Sequence, residues 1–186
     1  MTTAPRRHRS ASRPTRRLLA GLVVCLLALA GCSSGPSADE WATAVCGALV
    51  PWRTSIDELN REAATQMATA TTSEQTRENL LQLLSGARQA SETARATIAA
   101  AGVPDVEGGE AVAHGFEASL AGTRDAYAQA EADLAALPTT DDTTFYDGVT
   151  AVLSRLTDQY GDSGIDLAGL DSPELRQAFD GIDECR

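Results

Sequence analysis

The residues that could bind a metal ion lie closest together around His114. Glu110 lies four residues before this histidine and Glu117 three residues after it. At these spacings the three side chains share one face of a helix, and imidazole and carboxylate groups are ligands for divalent metal ions. Residues two apart on a helix point about 200° away from each other, so His114 faces away from the apolar Val112 and Phe116. The trio is either a surface metal site or, more simply, a charged face in contact with water.

A second set of candidate metal ligands is a run of aspartates near the end of the sequence: Asp158, Asp162, Asp166 and Asp171. A calcium-binding EF-hand loop needs glycine at its sixth position and glutamate at its twelfth. A loop that began at Asp158 would have Ser163 and Gly169 at those positions. The run therefore fails the EF-hand pattern, which leaves weak calcium binding or a capped acidic turn as its interpretation.

Catalytic motifs are not found in the sequence. Residues 32–186 contain a single histidine, His114, and this excludes a zinc site of the His-Glu-x-x-His type, which needs two histidines. The sequence also has no Gly-x-Ser-x-Gly motif, no phosphate-binding glycine loop and no dinucleotide-binding fingerprint. A Ser-His-Asp triad would depend on His114, and a triad histidine needs a sheltered position. We therefore expect a protein that is not an enzyme and has no cofactor and no metal site.

Trp41 and Trp52 are the two tryptophans of the sequence, and they are eleven residues apart. On a helix this spacing places both rings on one stripe. Such a pair could stack against a ligand, but packing in a hydrophobic core is the more common role of tryptophan on an apolar stripe. We expect both side chains to belong to the core.

The first 31 residues have the layout of an export signal. Residues 1–17 contain six arginines and no acidic residue, and residues 18–30 are apolar or small. A charged segment followed by a short apolar segment is typical of a secretory signal peptide, whereas a membrane-spanning helix needs about 20 apolar residues. Arg16-Arg17 is also loosely similar to a twin-arginine signal, so the export route stays open.

The four residues Leu29-Ala30-Gly31-Cys32 follow the apolar segment and resemble the bacterial lipobox. The resemblance implies that a diacylglyceryl group is transferred to the Cys32 thiol and that the chain is cleaved before Cys32. Two or more acyl chains hold a protein stably on a membrane. We therefore expect a protein anchored to the extracytoplasmic face of the cell membrane through the lipid on Cys32. The alternative is ordinary signal cleavage nearby, which would leave Cys32 as a free thiol.

The charge of the chain changes sharply after the predicted signal. Residues 32–186 keep nine of the 15 arginines and all 26 acidic residues, and there is no lysine, so this part has a formal charge of −17. Nucleic-acid binding depends on neutralising phosphates with cations, and we expect no nucleic-acid partner. An acidic surface is compatible with a basic partner, with loosely held cations or simply with solubility.

Two cysteines are left after the predicted signal and lipid site are set aside. Cys25 would leave with the signal and Cys32 would carry the lipid, which leaves Cys46 and Cys185. In an oxidising compartment a disulfide between these two is the simplest interpretation. A metal site or redox pair is the alternative, but the Cys-x-x-Cys spacing typical of such sites is missing.

Apolar residues recur every three or four positions in four long segments, which predicts four amphipathic helices. Residues 33–37 precede the first as a tether that can extend at most about 18 Å. The first helix begins at a capping box formed by Ser37 and Glu40, and Pro51 is expected to kink or split it near Leu49 or Val50. The second helix is expected to begin at a cap formed by Thr72 and Gln75 and to end at Gly102 and Pro104. The third is expected to begin within 105–110 and to end at Pro138, and the fourth to begin after Thr140 and to end at Gly161. Pro173 lies in the first turn of a short last helix.

Short loops between these helices predict an all-α fold, an up-down-up-down four-helix bundle. A short C-terminal helix, tied back by the Cys46–Cys185 disulfide, completes it. The expected domains are a lipoprotein signal peptide over 1–31, a lipidated tether over 32–37 and a helical bundle over 38–186.

Several of these features together resemble an actinobacterial group of small secreted proteins and lipoproteins of unknown function. The features are the lipobox, Trp41 with Cys46, Ala101-Gly102-Val103-Pro104, Asp171-Ser172-Pro173-Glu174-Leu175 and Cys185. The resemblance implies an exported helical protein and brings no activity with it.

The sequence therefore predicts a membrane-anchored cell-envelope lipoprotein with a non-enzymatic helical interaction domain and an envelope protein as its partner. The alternative is a carrier of a small apolar ligand or lipid in a cavity between the helices. Many small residues on the apolar stripes motivate this alternative, because they could leave space between the helices.

Overall fold

The computed structural model describes residues 35–162 and 170–185. Within these ranges the chain forms five α-helices and one turn of 3-10 helix: α1 (Ala38–Met67), α2 (Ser73–Ala101), α3 (Gly109–Ala135), α4 (Asp142–Asp162), α5 (Pro173–Asp180) and the turn Asp183–Cys185. The four long helices pack against one another and no strand occurs in these ranges, so the predicted all-α four-helix bundle is confirmed. The predicted signal peptide and Cys32 lie outside the described residues.

The helix caps explain why the elements begin and end where they do. The Ser37 N–H donates to Glu40 Oε2 at 2.9 Å, and the Glu40 N–H donates to Ser37 Oγ at 3.3 Å, so the predicted capping box is confirmed. The first of these bonds is the main reason why the pKa of Glu40 is lowered. At the start of α2, Thr72 Oγ accepts from the Gln75 N–H, and Gly102, with φ of 75°, ends the helix in a conformation that other residues rarely adopt.

The predicted split of the first helix at Pro51 is wrong, since α1 is one helix from Ala38 to Met67. Proline has no backbone N–H, so the helix loses one hydrogen bond, the one to the carbonyl four residues earlier. For Pro51 that carbonyl belongs to Gly47. Both Gly47 and Pro51 are exposed, so this carbonyl lies on the solvent side of the helix. Buried residues before and after Pro51, such as Leu49 and Ala63, hold the two halves of α1 against the bundle.

The central helix of the bundle is α2, which packs against α1, α3 and α4. α4 packs mainly against α3, and α5 packs against α1. Among the described helices, no Cα atom of α1 lies within 8 Å of a Cα atom of α4. The bundle is therefore not closed by close packing of α1 on α4, and the first half of α1 is covered by α5 instead.

An aromatic cluster joins α1, α3 and α5. The Trp41 ring lies edge-on to Phe116 with centroids 5.3 Å apart and to Phe179 at 6.1 Å, and the two phenylalanines stack at 6.0 Å. Trp41 is fully buried, and its indole N–H donates to the Gly102 carbonyl at 2.9 Å. Trp41 is thus the core residue that the sequence predicts.

A second group of buried residues joins the other halves of α2 and α3 to α4: Leu80, Leu84, Ala87, Tyr127, Ala130, Leu134, Phe145, Val149 and Val152. Burial raises the pKa of Tyr127 to about 12, with a further contribution from Tyr160, whose ring lies 6.2 Å away. No helix in the described part of the chain has both the length and the hydrophobicity that crossing a membrane requires.

A disulfide joins Cys46 of α1 to Cys185 in the last turn, with 5.5 Å between the Cα atoms. The predicted pairing is therefore confirmed. Cys46 and Cys185 are both buried beside the aromatic cluster, so the bridge holds α5 and the 3-10 turn against α1.

Residues 35–37, which the sequence assigns to a tether, pack against the loop between α2 and α3. The Asp105 N–H donates to the Pro36 carbonyl at 2.9 Å. A Cβ atom on Gly35 would lie 1.9 Å from the Val103 carbonyl oxygen, so only glycine fits there without backbone movement. The packed part of the chain therefore begins before α1.

Candidate functional site

An open groove of about 600 Å³ runs between α1 and α2 on the surface of the bundle. Its lining includes the larger Leu59 and six small residues of both helices, here called the floor: Gly47, Ala48, Pro51, Gly86, Ala90 and Ala94. Such residues allow an approaching chain to come close to the helix backbones. The groove is thus an open surface lined by two long helices.

Two glycines shape the groove in different ways. A Cβ atom on Gly47 would meet nothing within 4 Å, so the space above this residue is open. A Cβ atom on Gly86 would lie 2.7 Å from a methyl group of Leu59. Gly86 therefore lets Leu59 pack between the helices, whereas Gly47 leaves the groove empty at its own position.

Trp52 forms part of the groove wall. Its indole N–H donates to Ser91 Oγ at 3.1 Å, and the Ser91 hydroxyl donates to the Ala87 carbonyl at 2.9 Å. Ser91 is fully buried, whereas Trp52 is half-buried and lines the groove. Trp41 thus lies within the core, whereas Trp52 packs against the core from its edge and also lines the groove.

The charged groups of the groove are both carboxylates. Glu58 and Glu62 line it, and no arginine does. The hydroxyls of Thr93 and Thr97 donate to carbonyls of their own helix at 3.0 and 2.9 Å. The Gly47 carbonyl lacks its usual helix donor, because residue 51 is proline and has no N–H. The groove therefore presents negative charge.

A charge network on the opposite side of α2 fixes its position against α3. Glu92 accepts from Arg95 at 2.6 Å and from Arg124 of α3 at 2.8 Å. These hydrogen bonds, with Arg95 as the largest contribution, lower the pKa of Glu92 from 4.5 to about 2. A further pair, Arg88 and Glu131, links the same two helices at 2.9 Å. These ion pairs lie away from the groove and have a structural role.

Glu110, His114 and Glu117, the candidate metal ligands of α3, do not form a metal site. His114 is exposed, as its position on the helix predicts, and the charge of Glu117 acts on Arg95 of α2. Residues 35–162 and 170–185 contain no group of three His, Cys, Asp or Glu side chains arranged to hold a metal ion. Asp166 of the aspartate run lies outside the described residues, so the proposed calcium loop is not described as a whole.

The groove is the feature that sequence reasoning missed. Its signal was present as small residues four apart on both helices, Gly47-x-x-x-Pro51 on α1 and Gly86-x-x-x-Ala90 on α2. This spacing places small residues on one face of a helix. The pattern lies at the edge of the stronger apolar stripes, and those stripes predict core positions and not a groove.

Comparison with protein-family models finds no match for this chain, and comparisons with curated proteins and with solved structures find none either. The groove and the fold are therefore the basis on which a function can be argued.

Proposed function

We propose that this chain is a membrane-anchored envelope lipoprotein whose helical domain binds another protein in the groove between α1 and α2. The observation that carries the proposal is the groove itself: an open site of about 600 Å³ between two long helices, with a floor of small residues. Small residues at a helix surface permit close packing of a further backbone. A protein segment uses such a surface better than a small molecule does.

The shape of the groove favours a protein partner over a carried ligand. Sites for small ligands bury most of the ligand surface in an enclosed cleft, whereas this groove is open to the surface. Large side chains such as Leu84, Leu120 and Leu134 are each at most 1% exposed and occupy the space between the helices. A carrier would need a cavity at that place.

The anchor in this proposal rests on the sequence. The lipobox-like Leu29-Ala30-Gly31-Cys32 follows a charged and then an apolar segment, which is the order expected of an exported lipoprotein. In a Cys32→Ala variant, metabolic labelling with a palmitate analogue should be lost, and the protein should leave the membrane fraction. Label that persists in the variant would contradict lipidation at Cys32.

The groove is tested by blocking it. A Cβ atom at Gly47 or at Gly115 of α3 would meet nothing within 4 Å, so both positions accept a large side chain, but only Gly47 lines the groove. Proximity biotinylation from the anchored full chain should label a set of proteins that Gly47→Trp removes and that Gly115→Trp keeps. Identical labelling by both variants would contradict a protein-binding role for the groove.

A further inference from the structure

We infer that the groove takes a single basic helical segment of the partner, about 15 residues long. This inference rests on the proposed function, since it specifies the chemistry of the protein that the groove binds. It follows from the length of the groove, the size of its floor residues and the charge of its rim.

The dimensions of the groove suit a helix. The lining residues of α1 extend from Gly47 to Glu62, which corresponds to about 22 Å of helix. Those of α2 extend from Gly86 to Thr97, or about 17 Å. Helices whose contact residues are small approach to about 8 Å between axes, and a third helix can lie along two others at this distance. A segment of three to four turns fills the groove.

The charged groups of the groove favour an occupant that supplies positive charge. Glu58 and Glu62 are exposed carboxylates on the α1 side, and no arginine lines the groove. Glu62 accepts a hydrogen bond from the neutral Gln66 amide of its own helix at 3.1 Å, which leaves its negative charge in place. Arginine or lysine on the occupant pairs with these carboxylates, whereas an acidic segment or a lipid phosphate is repelled.

The apolar part of the occupant faces Trp52 and the small residues of the floor. Trp52 is half-buried, and aromatic residues of this kind at an interface supply both apolar contact area and a polar edge. The matching segment is amphipathic, with alanine or leucine on the face toward the floor and basic residues on the side toward Glu58 and Glu62.

The test uses two synthetic helical peptides of 15 residues, which share leucine and alanine on one face and differ in carrying arginine or glutamate on the flank. Each peptide bears a fluorophore and is titrated with the full chain in non-ionic detergent, with empty micelles as a blank. Anisotropy measures affinity. A change in tryptophan emission shows that the peptide lies in the groove, because Trp52 lines the groove and the other tryptophan, Trp41, is fully buried.

We expect the arginine peptide to bind at least tenfold more tightly than the glutamate peptide and to change the Trp52 emission. Glu58→Gln with Glu62→Gln should weaken binding of the arginine peptide about three- to tenfold, the range for two exposed ion pairs. The exposed pair Glu78→Gln with Glu107→Gln, outside the groove, is the matched control and should change affinity less than twofold. Gly47→Trp should abolish binding, and Gly115→Trp should leave it unchanged.

Equal binding of the two peptides, absence of binding, or equal weakening by the two pairs of glutamine variants would overturn the inference. These outcomes are separable from failure of the proposed function. A groove that binds an uncharged or acidic protein would still lose its proximity-labelled proteins in Gly47→Trp. In that case the prediction that the partner segment is basic is wrong, and the protein-binding role of the groove is kept.

Discussion

The Trp52 indole nitrogen lies 3.1 Å from the hydroxyl oxygen of Ser91, and this hydrogen bond joins the wall of the groove to the buried side of α2. Ser91 is fully buried, and its hydroxyl donates a hydrogen bond to the Ala87 carbonyl. One side chain of α1 is thus held in a fixed orientation by α2. The position of the Trp52 ring in the groove wall is therefore set by its Ser91 partner.

Replacing Ser91 by alanine should destabilise the domain and release the Trp52 ring. The variant leaves the indole N–H without its acceptor, which costs about 1 kcal/mol for a partly exposed group. Urea unfolding measures the loss, and the Trp52 emission should shift to longer wavelength. Thr93→Ala is the matched control, because it removes a hydroxyl that bonds only to its own helix; an equal loss of stability in the control would contradict the role of Ser91.

Removing the disulfide should destabilise the domain more than any single substitution at its surface. Cys46 and Cys185 are separated by 139 positions, and the chain-entropy model gives about 5 kcal/mol for closing a loop of this length, with measured losses of about 2–5 kcal/mol. The Cys46→Ala, Cys185→Ala double variant should show this loss in urea unfolding. Reductant should lower wild-type stability to the same value and leave the variant unchanged.

Mass spectrometry without prior reduction checks the same bridge directly. A peptide that contains Cys46 should be recovered linked to one that contains Cys185. Recovery of the Cys46 peptide as a free thiol would contradict the pairing and, with it, the packing of α5 against α1.

Acid should weaken the link between α2 and α3 through Glu92. The folded-state pKa of about 2 lies below the ordinary value of 4.5, so the contribution of this carboxylate to stability is present above pH 4.5 and is lost as the pH falls toward 2. Glu92→Gln should therefore show a smaller fall in melting temperature between pH 6 and pH 2 than the wild type does. The exposed Glu78→Gln is the control; a Glu92→Gln profile parallel to the wild-type profile would show that Glu92 has no such role.

A methyl group at residue 35 should loosen the start of the packed chain. The added Cβ atom would lie 1.9 Å from the Val103 carbonyl oxygen, so the backbone must move, at a cost of about 1–3 kcal/mol that is typical of overpacking. Gly115→Ala, where the Cβ atom meets nothing within 4 Å, should instead stabilise α3 by about 0.5–1 kcal/mol. Hydrogen exchange at the Asp105 amide, which donates to Pro36, should become faster in Gly35→Ala alone.

The sequence predicts the parts of this fold that local chemistry decides. Ser37 with Glu40 and Gly102 before Pro104 set helix ends through backbone hydrogen bonds and φ angles, and these are readable from a few adjacent residues. The pairing of Cys46 with Cys185 followed from counting cysteines. For each of these features, the information lies in the residue types themselves.

Features that depend on packing between distant segments could not be read in the same way. The continuity of α1 through Pro51 depends on buried residues on both sides of it, and the lack of close α1–α4 packing depends on how α4 sits against α3. The groove is lined by small residues of α1 and α2, such as Gly47 and Ala90, which are far apart in sequence. The spacing of these small residues is visible in the sequence, but the sequence does not show which side of each helix faces the groove.

The central claim, that the groove binds a helical protein segment, is tested most directly by a photo-crosslinker at its edge. A benzoyl-phenylalanine residue is placed at position 89 of the full chain in its native cell, where the exposed Gln89 lines the groove, and the matched chain carries it at position 115. Irradiation should join position 89, and not position 115, to a peptide that mass spectrometry identifies as a basic, amphipathic helical segment of another protein. An adduct of lipid mass at position 89, or equal protein adducts at both positions, would contradict the claim.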